Sequence, residues 1–318
     1  MQHLISKTRN GFVILAISLL CTACVSGPDE KQPEAIEAAN NALSSGVINY
    51  SKNKHELAIT YFRNALRDFR SIDHQYGIAS SCLNLSKTHL SIGNIEVADA
   101  YLKQAQHIIE QENIKQLSDH LRIIKSSIAI ENNLLIQAKK ILEPLLQKDN
   151  SNAFTLAAIQ NRTRIAHAES SDNKSDAAQW TNTFEQKIKS SSGSQIHQAR
   201  LARFKANLSD DNEIQNKYLS EALNIYRAQA NRPGIAATLQ EWSVALIKQN
   251  QTETAKDKLQ RALYIRQSLQ DRKNSLAILN SLAEISSDGM TRAWTEKLQS
   301  KHFKEWDEFV AAFNQFPE

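Results

Sequence analysis

The chain has 318 residues, with 38 Lys and Arg against 34 Asp and Glu for a formal net charge of +4, and a mean hydropathy of −0.46. So small a basic excess, at a pI near 8.8, does not indicate a nucleic-acid partner, because phosphate binding needs basic residues clustered on one face. Only 8 glycines and 5 prolines occur, while Ala, Leu, Ile, Gln, Lys and Glu abound; helix is favoured almost throughout, and the length admits two ordinary domains or one repeat array.

The first ten residues, MQHLISKTRN, hold Lys7 and Arg9 and no acid, and the nearly unbroken apolar run GFVILAISLLCTA follows. This is the basic start and apolar centre of a cleaved signal peptide, and at about a dozen residues it is too short for a helix that must cross a bilayer with about 20. Thr22 and Ala23 are small and stand directly before Cys24, in LLCTACVSG. That arrangement resembles the lipobox of bacterial lipoproteins, in which the cysteine sulfur is acylated and cleavage, here between Ala23 and Cys24, leaves it as the first residue. Leu20 lies one place earlier than the usual leucine and Cys21 fills its slot; Cys21 itself follows two leucines too bulky for the peptidase. The other readings are a plain cleaved signal, or a redox or metal use of the Cys21–Cys24 pair. Zinc would need two further ligands, and only Cys82 remains elsewhere, with no histidine pair near it. The resemblance implies an anchor of several acyl chains, each adding about 0.8 kcal/mol per buried methylene. Val25, where retained lipoproteins carry aspartate, implies the periplasmic face of an outer membrane. Removal of residues 1–23 lowers the net charge to +2, and residues 24–36 then form the lipidated terminus and linker.

From residue 37 a repeat is visible. Gly46, Ala58, Phe62 and Ala65 set a frame that recurs as Ser86, Ala98, Leu102, Ala105; as Ser126, Ala138, Leu142, Leu145; and as Ser243, Ala255, Leu259, Ala262. Ala58, Ala98 and Ala138 are 40 residues apart, and GIASSCLNLS from Gly77 aligns without gaps with GIAATLQEWS from Gly234. Small residues on a first helix and alanines on a second let two antiparallel helices approach, while large residues at i, i+4 and i+7 wedge between them. Gly93 with Asn94, and Asn53 and Asn250 at equivalent places, mark the tight turns. The pattern resembles the tetratricopeptide repeat in its longer variety of about 40 residues, and implies that stability comes from stacking, since one unit cannot bury its apolar face alone.

The array is expected over residues 37–290, with a blurred stretch at about 150–215. There Ala178 falls in phase and Trp180, Phe184 and Ile188 share a face, but the small-residue frame is lost, and ESSDNKSD and SSSGS read as polar loops. A hinge and plain repeat drift are both readings of this stretch. Pro144, inside a predicted helix, should kink or shorten it. Residues 291–318 leave the frame: Trp294, Leu298, Phe303, Trp306, Phe309, Val310 and Phe313 recur at helical spacing, as a helix that caps the last repeat or as one that docks a partner or a second copy.

Motifs of catalysis are missing: no HExxH, no GxSxG and no phosphate-cradling glycine loop. The histidines show no ligand spacing, and packing or surface roles are expected for them. Glu284 and Asp288 sit at helical spacing beside SSDG, as at a helix end. Cys82, beside Leu83 and Leu85, is expected as a buried small hydrophobe. No metal and no cofactor is expected, and no enzyme; the alternative of an enzyme would place its site in the irregular middle.

The sequence thus predicts an all-α fold, an α-solenoid of about six stacked antiparallel helix pairs with a C-terminal capping helix. In the repeat family that it resembles, the first helices line a concave groove that takes peptides or partner helices, through polar residues just past the small residue. Carried over, this selects Tyr50 and Lys87 in the first half and Arg200, Gln240 and Lys248 in the second, a set whose cations suit an acidic segment or a carboxylate terminus. The expectation is a lipid-anchored, periplasm-facing adaptor with a protein or peptide partner and no nucleic acid, with a homodimer through the C-terminal helix as the alternative. Similar lipoproteins serve pilus or secretin assembly or peptidoglycan enzymes.

Overall fold

The computed structural model describes residues 33–147, 153–171, 173–190 and 194–285. The lipobox residues Ala23 and Cys24 and the aromatic C-terminal stripe from Trp294 to Phe313 lie outside them, as does Asp288. Among the described residues there are thirteen α-helices and no strand: α1 (Glu34–Ser51), α2 (His55–Ser71), α3 (Gln75–Ser91), α4 (Ile95–Gln111), α5 (Ser118–Glu131), α6 (Leu135–Leu146), α7 (Ala153–Ala168), α8 (Lys174–Ser190), α9 (Gln195–Leu208), α10 (Asn212–Ala228), α11 (Arg232–Lys248), α12 (Thr252–Ser268) and α13 (Arg272–Ile285). Each packs on the next in chain order, so odd-numbered first helices and even-numbered second helices stack as six pairs, with α13 following. The array is a helical solenoid. It begins three residues earlier than residue 37, because Glu34 and Glu37 in the first turn favour a start directly after Pro33.

The frame residues are the core. Ala58, Phe62 and Ala65, then Ala98, Leu102 and Ala105, then Ala138, Leu142 and Leu145, and Ala255, Leu259 and Ala262 are all buried. Sixteen residues separate the small slot on a first helix from the large slot on its partner, and the two volumes offset each other: Gly46 faces Phe62, while Ser86, Ser126 and Ser243 stand opposite Leu102, Leu142 and Leu259. A Cβ built on Gly46 would come 2.4 Å from the Phe62 ring, so the largest side chain sits against the smallest slot. A second contact of this kind joins consecutive pairs. Phe69 fills the space left by Gly77, and Tyr226 that left by Gly234, which accounts for the aligned GIASS and GIAAT segments.

The turns repeat as well. Asn53, Asn133 and Asn250, with φ of 57–58°, and Gly93 at 87° end first helices in the left-handed region, as Asp73, Asn113, Ala230 and Gln270 end second helices. The next amide then reaches back to the carbonyl five residues earlier, as Lys54 does to Asn49 at 2.9 Å and Asp271 to Arg266 at 2.9 Å, capping each helix with its own chain.

In the middle stretch the helices continue the same order of stacking. The second-helix frame runs through Ala177, Thr181, Phe184 and Ile188, so the in-phase alanine is Ala177 and not Ala178. Its small slot holds Ile165 and its large slot Thr181, an inversion that keeps the volume and hides the motif. Trp180 is half-buried on the Phe184 and Ile188 face. Pro144 leaves α6 with 12 residues where its neighbours α2 and α4 have 17.

Candidate functional site

From α1 to α7 successive first helices touch (α1 with α3, α3 with α5, α5 with α7), beyond that side-chain pairs link α9 to α7 and to α11, and among the described residues no two successive second helices make comparable backbone contact. The stack is therefore shorter on the side of the first helices, and that side is its inner face.

Most charged groups on this face already have partners. Lys87 lies 4.6 Å from the centroid of the Tyr50 ring, and the Tyr50 hydroxyl is 2.9 Å from Ser91 Oγ, so these two first-half residues come together across α1 and α3. In the second half Arg200 donates from Nη1 to Gln160 Oε1 at 2.7 Å, and Gln240 Oε1 accepts from Arg266 Nε and Nη2 at 3.1 and 2.9 Å. Lys248, near the end of α11, is exposed. Arg200 and Gln240 stand one helical turn before the small slots of α9 and α11, not after them, because the slot of α9 is position 203.

Arg203 fills that slot, where other pairs carry Gly, Ser or, in α7, Ile165. It donates from Nε to Glu241 Oε2 at 2.8 Å and from Nη2 to Oε1, a two-pronged pair between α9 and α11 whose side chains are 21% and 28% exposed. Burial opposes the charge on Arg203, but the Glu241 carboxylate more than offsets this and holds the guanidinium above its usual value. Arg266 likewise occupies an apolar slot of the frame, the one filled by Phe69, Ile109, Ile188 and Tyr226 elsewhere. Its Nη1 donates to Asp271 Oδ2 at 2.8 Å; for this group burial outweighs the carboxylate and holds the value below the ordinary one. Asp271 is fully buried and also accepts from the Asn274 amide, capping α13 as Asn231 caps α11. Arg164 pairs with Glu131 between α7 and α5. None of these arginines is among the residues that the resemblance selects; for Arg203 and Arg266 the signal in the sequence is a charged residue in a position that the repeat keeps small or apolar.

Among the described residues no group of three or more His, Cys, Asp and Glu converges as a metal site, and no helix is long and apolar enough to cross a membrane. In the middle stretch two His–hydroxyl pairs occur among the described residues: Ser194 Oγ with His197 Nδ1 at 3.0 Å, exposed at the start of α9, and His167 Nε2 with Thr181 Oγ1 at 2.8 Å. Thr181 is buried and its hydroxyl already donates to the Ala177 carbonyl, so the imidazole donates and the pair is a packing contact beneath Phe204. Cys82 is buried with Leu83 and Leu85, and burial pushes its thiol up to about 11.

No family model and no curated protein matches the chain. Among solved structures, the Rap conjugation gene regulator of the plasmid pLS20, in complex with the Phr* peptide, is similar over 77% of this chain and 67% of its own, at 13% identity and a TM-score of 0.62. That likeness is one of fold. BtubC (BKLC) from P. vanneervenii aligns over 90% of this chain and 94% of its own at 15% identity, with a TM-score of 0.26 that carries no weight for the fold.

Proposed function

We propose that this chain is a non-enzymatic adaptor that receives a protein or peptide segment on the inner face of its first helices. The observation that carries the reading is the curved array of first helices bearing Tyr50, Lys87, Arg200, Gln240 and Lys248, in a fold shared with a regulator whose structure holds a peptide. The arginines and lysines on that face suit an acidic segment or a carboxylate terminus, and a partner carboxylate that exchanged with Gln160 or Gln240 would leave Arg200 or Arg266 fully bonded. The reading includes the lipid anchor at Cys24, which places the array at the periplasmic face of an outer membrane, tethered by the short segment before α1. Service to pilus, secretin or peptidoglycan machinery would follow from that location.

Photo-crosslinking in cells tests this. A photoreactive side chain at Lys87 or Lys248 should capture one discrete partner, whereas at Lys140 or Lys189, exposed on second helices, it should not. Equal capture at all four positions would refute the groove. Cys24→Ala should abolish incorporation of a labelled fatty acid and leave the chain uncleaved at precursor mass; unchanged acylation and processing would refute the anchor.

A further inference from the structure

The array does not end as an open spiral. Asn53, in the turn between α1 and α2, donates from Nδ2 to the Gln229 carbonyl at 2.8 Å and accepts from Asn231 Nδ2 at 2.7 Å, across 176 and 178 residues. Glu56, in the first turn of α2, pairs with Arg232, again 176 residues away. The next turn repeats the contact: a Cβ built on Gly93 would fall 2.1 Å from the carboxyl carbon of Asp271, 178 residues on. Leu269, beside it, is buried in the apolar cluster of the first half. One offset at two successive turns means that the chain completes a superhelical turn in about four and a half pairs, and that the turns of pairs one and two then seat on the connections after α10 and α12.

Side-chain choice follows this seating. Asn53 is half-buried, while Asn133 and Asn250 at the same place in other turns are exposed; Gly93 stands where those turns have asparagine and leaves room for Asp271. Asn231 is shared, since its Oδ1 caps α11 through the Gly234 amide at 2.7 Å while its Nδ2 holds Asn53. The seam consists of a few polar groups, Lys273 donating to the Glu131 carbonyl among them, around Leu269 and the half-buried Ile265, against the continuous apolar packing between neighbouring helices, so it is the interface that gives way first.

We propose that this seam is a latch that holds the superhelix closed and restricts entry to the inner face, and that its release is the motion that admits a partner. The partner half of this statement rests on the adaptor reading; the latch itself does not, and it is tested without any partner.

Hydrogen exchange on the full-length chain in detergent reads the latch directly. Glu56→Arg sets two guanidiniums against each other, and Arg232→Glu two carboxylates. Either change should raise exchange about tenfold at the amides of residues 229–232 and 234 and also at Asn94 and Asn274, in the second contact some 40 residues from the substitutions. The double exchange Glu56→Arg with Arg232→Glu should restore protection at all of them. Leu269→Asp, which removes the buried leucine, should open the same amides with the first helices otherwise protected. Faster exchange confined to residues 54–58 and 229–234, or none with Leu269→Asp, would overturn the latch. An open latch with no captured partner would count against the adaptor reading alone.

Discussion

Replacing Arg203 by methionine removes one member of the pair that bridges α9 and α11 and leaves the Glu241 carboxylate on a partly buried face without its two donors. Breaking a buried ion pair in this way costs about 3–5 kcal/mol, since the surviving charge keeps its desolvation penalty and loses its partner. Here the two side chains retain 21% and 28% exposure, so water recovers part of that, and the expected loss is about 2–3 kcal/mol. The double variant Arg203→Met with Glu241→Leu should lie within about 1 kcal/mol of the parent, because slot 203 is apolar or small in the other pairs and the carboxylate is gone. Urea denaturation followed by circular dichroism, run as a double-mutant cycle, gives both numbers. A loss below about 1 kcal/mol for Arg203→Met, or a double variant as unstable as the single, would show that the pair is a solvated surface contact and not an internal one.

Volume matching across a helix pair makes a second prediction: Gly46→Ser should destabilise by about 1–3 kcal/mol through overlap with Phe62, and Phe62→Leu in the same chain should recover most of it by recreating the Ser–Leu match of other pairs, both measured by urea midpoint. His89 is buried against Tyr101 with neither ring nitrogen bonded, and burial, then Arg63, lowers it from 6.5 to about 4. Between those values the unfolded chain binds the proton and the folded one does not, so stability falls as pH falls through this window and is unaffected above it. His89→Leu should therefore remove about 2 kcal/mol of the stability difference between pH 7 and 4.5, and an unchanged pH profile would refute the neutral, buried imidazole.

The repeat was legible because its determinants are local. A small residue, an alanine twelve positions on and a large residue four beyond that bring two antiparallel helices together wherever they occur, and Asn or Gly in the left-handed region ends each helix. The burial of Cys82 and the short α6 follow from the same kind of neighbour relation. The middle stretch blurred because Ile165 and Thr181 exchange large and small between the two slots and because the period there is 39 residues instead of 40, which shifts the alanine from 178 to 177. Each slot taken singly loses the motif, while the sum of the two volumes keeps it.

The arginine pairs are hidden in the sequence for a related reason. A charge in a first-helix slot reads as a break in the repeat until its partner is known, and the partner of Arg203 is on the next first helix, 38 residues away. The residues carried over from the resemblance fared unevenly: Tyr50 and Lys87 meet each other, Arg200 and Gln240 are bonded within the array, and Lys248 stands exposed.

Sequence alone thus determined the class of fold, the pairing of each helix with the next and the composition of the core, since all of these depend on contacts within about 40 residues and on the period of the chain. Tertiary structure decided how far the stack curves, which charges become internal, and that Asn53 and Gly93 meet connections 176–178 residues later. Each pair adds a small rotation set by the fit of its side chains, and only the sum over four or five pairs brings the seam together; no single repeat contains that information.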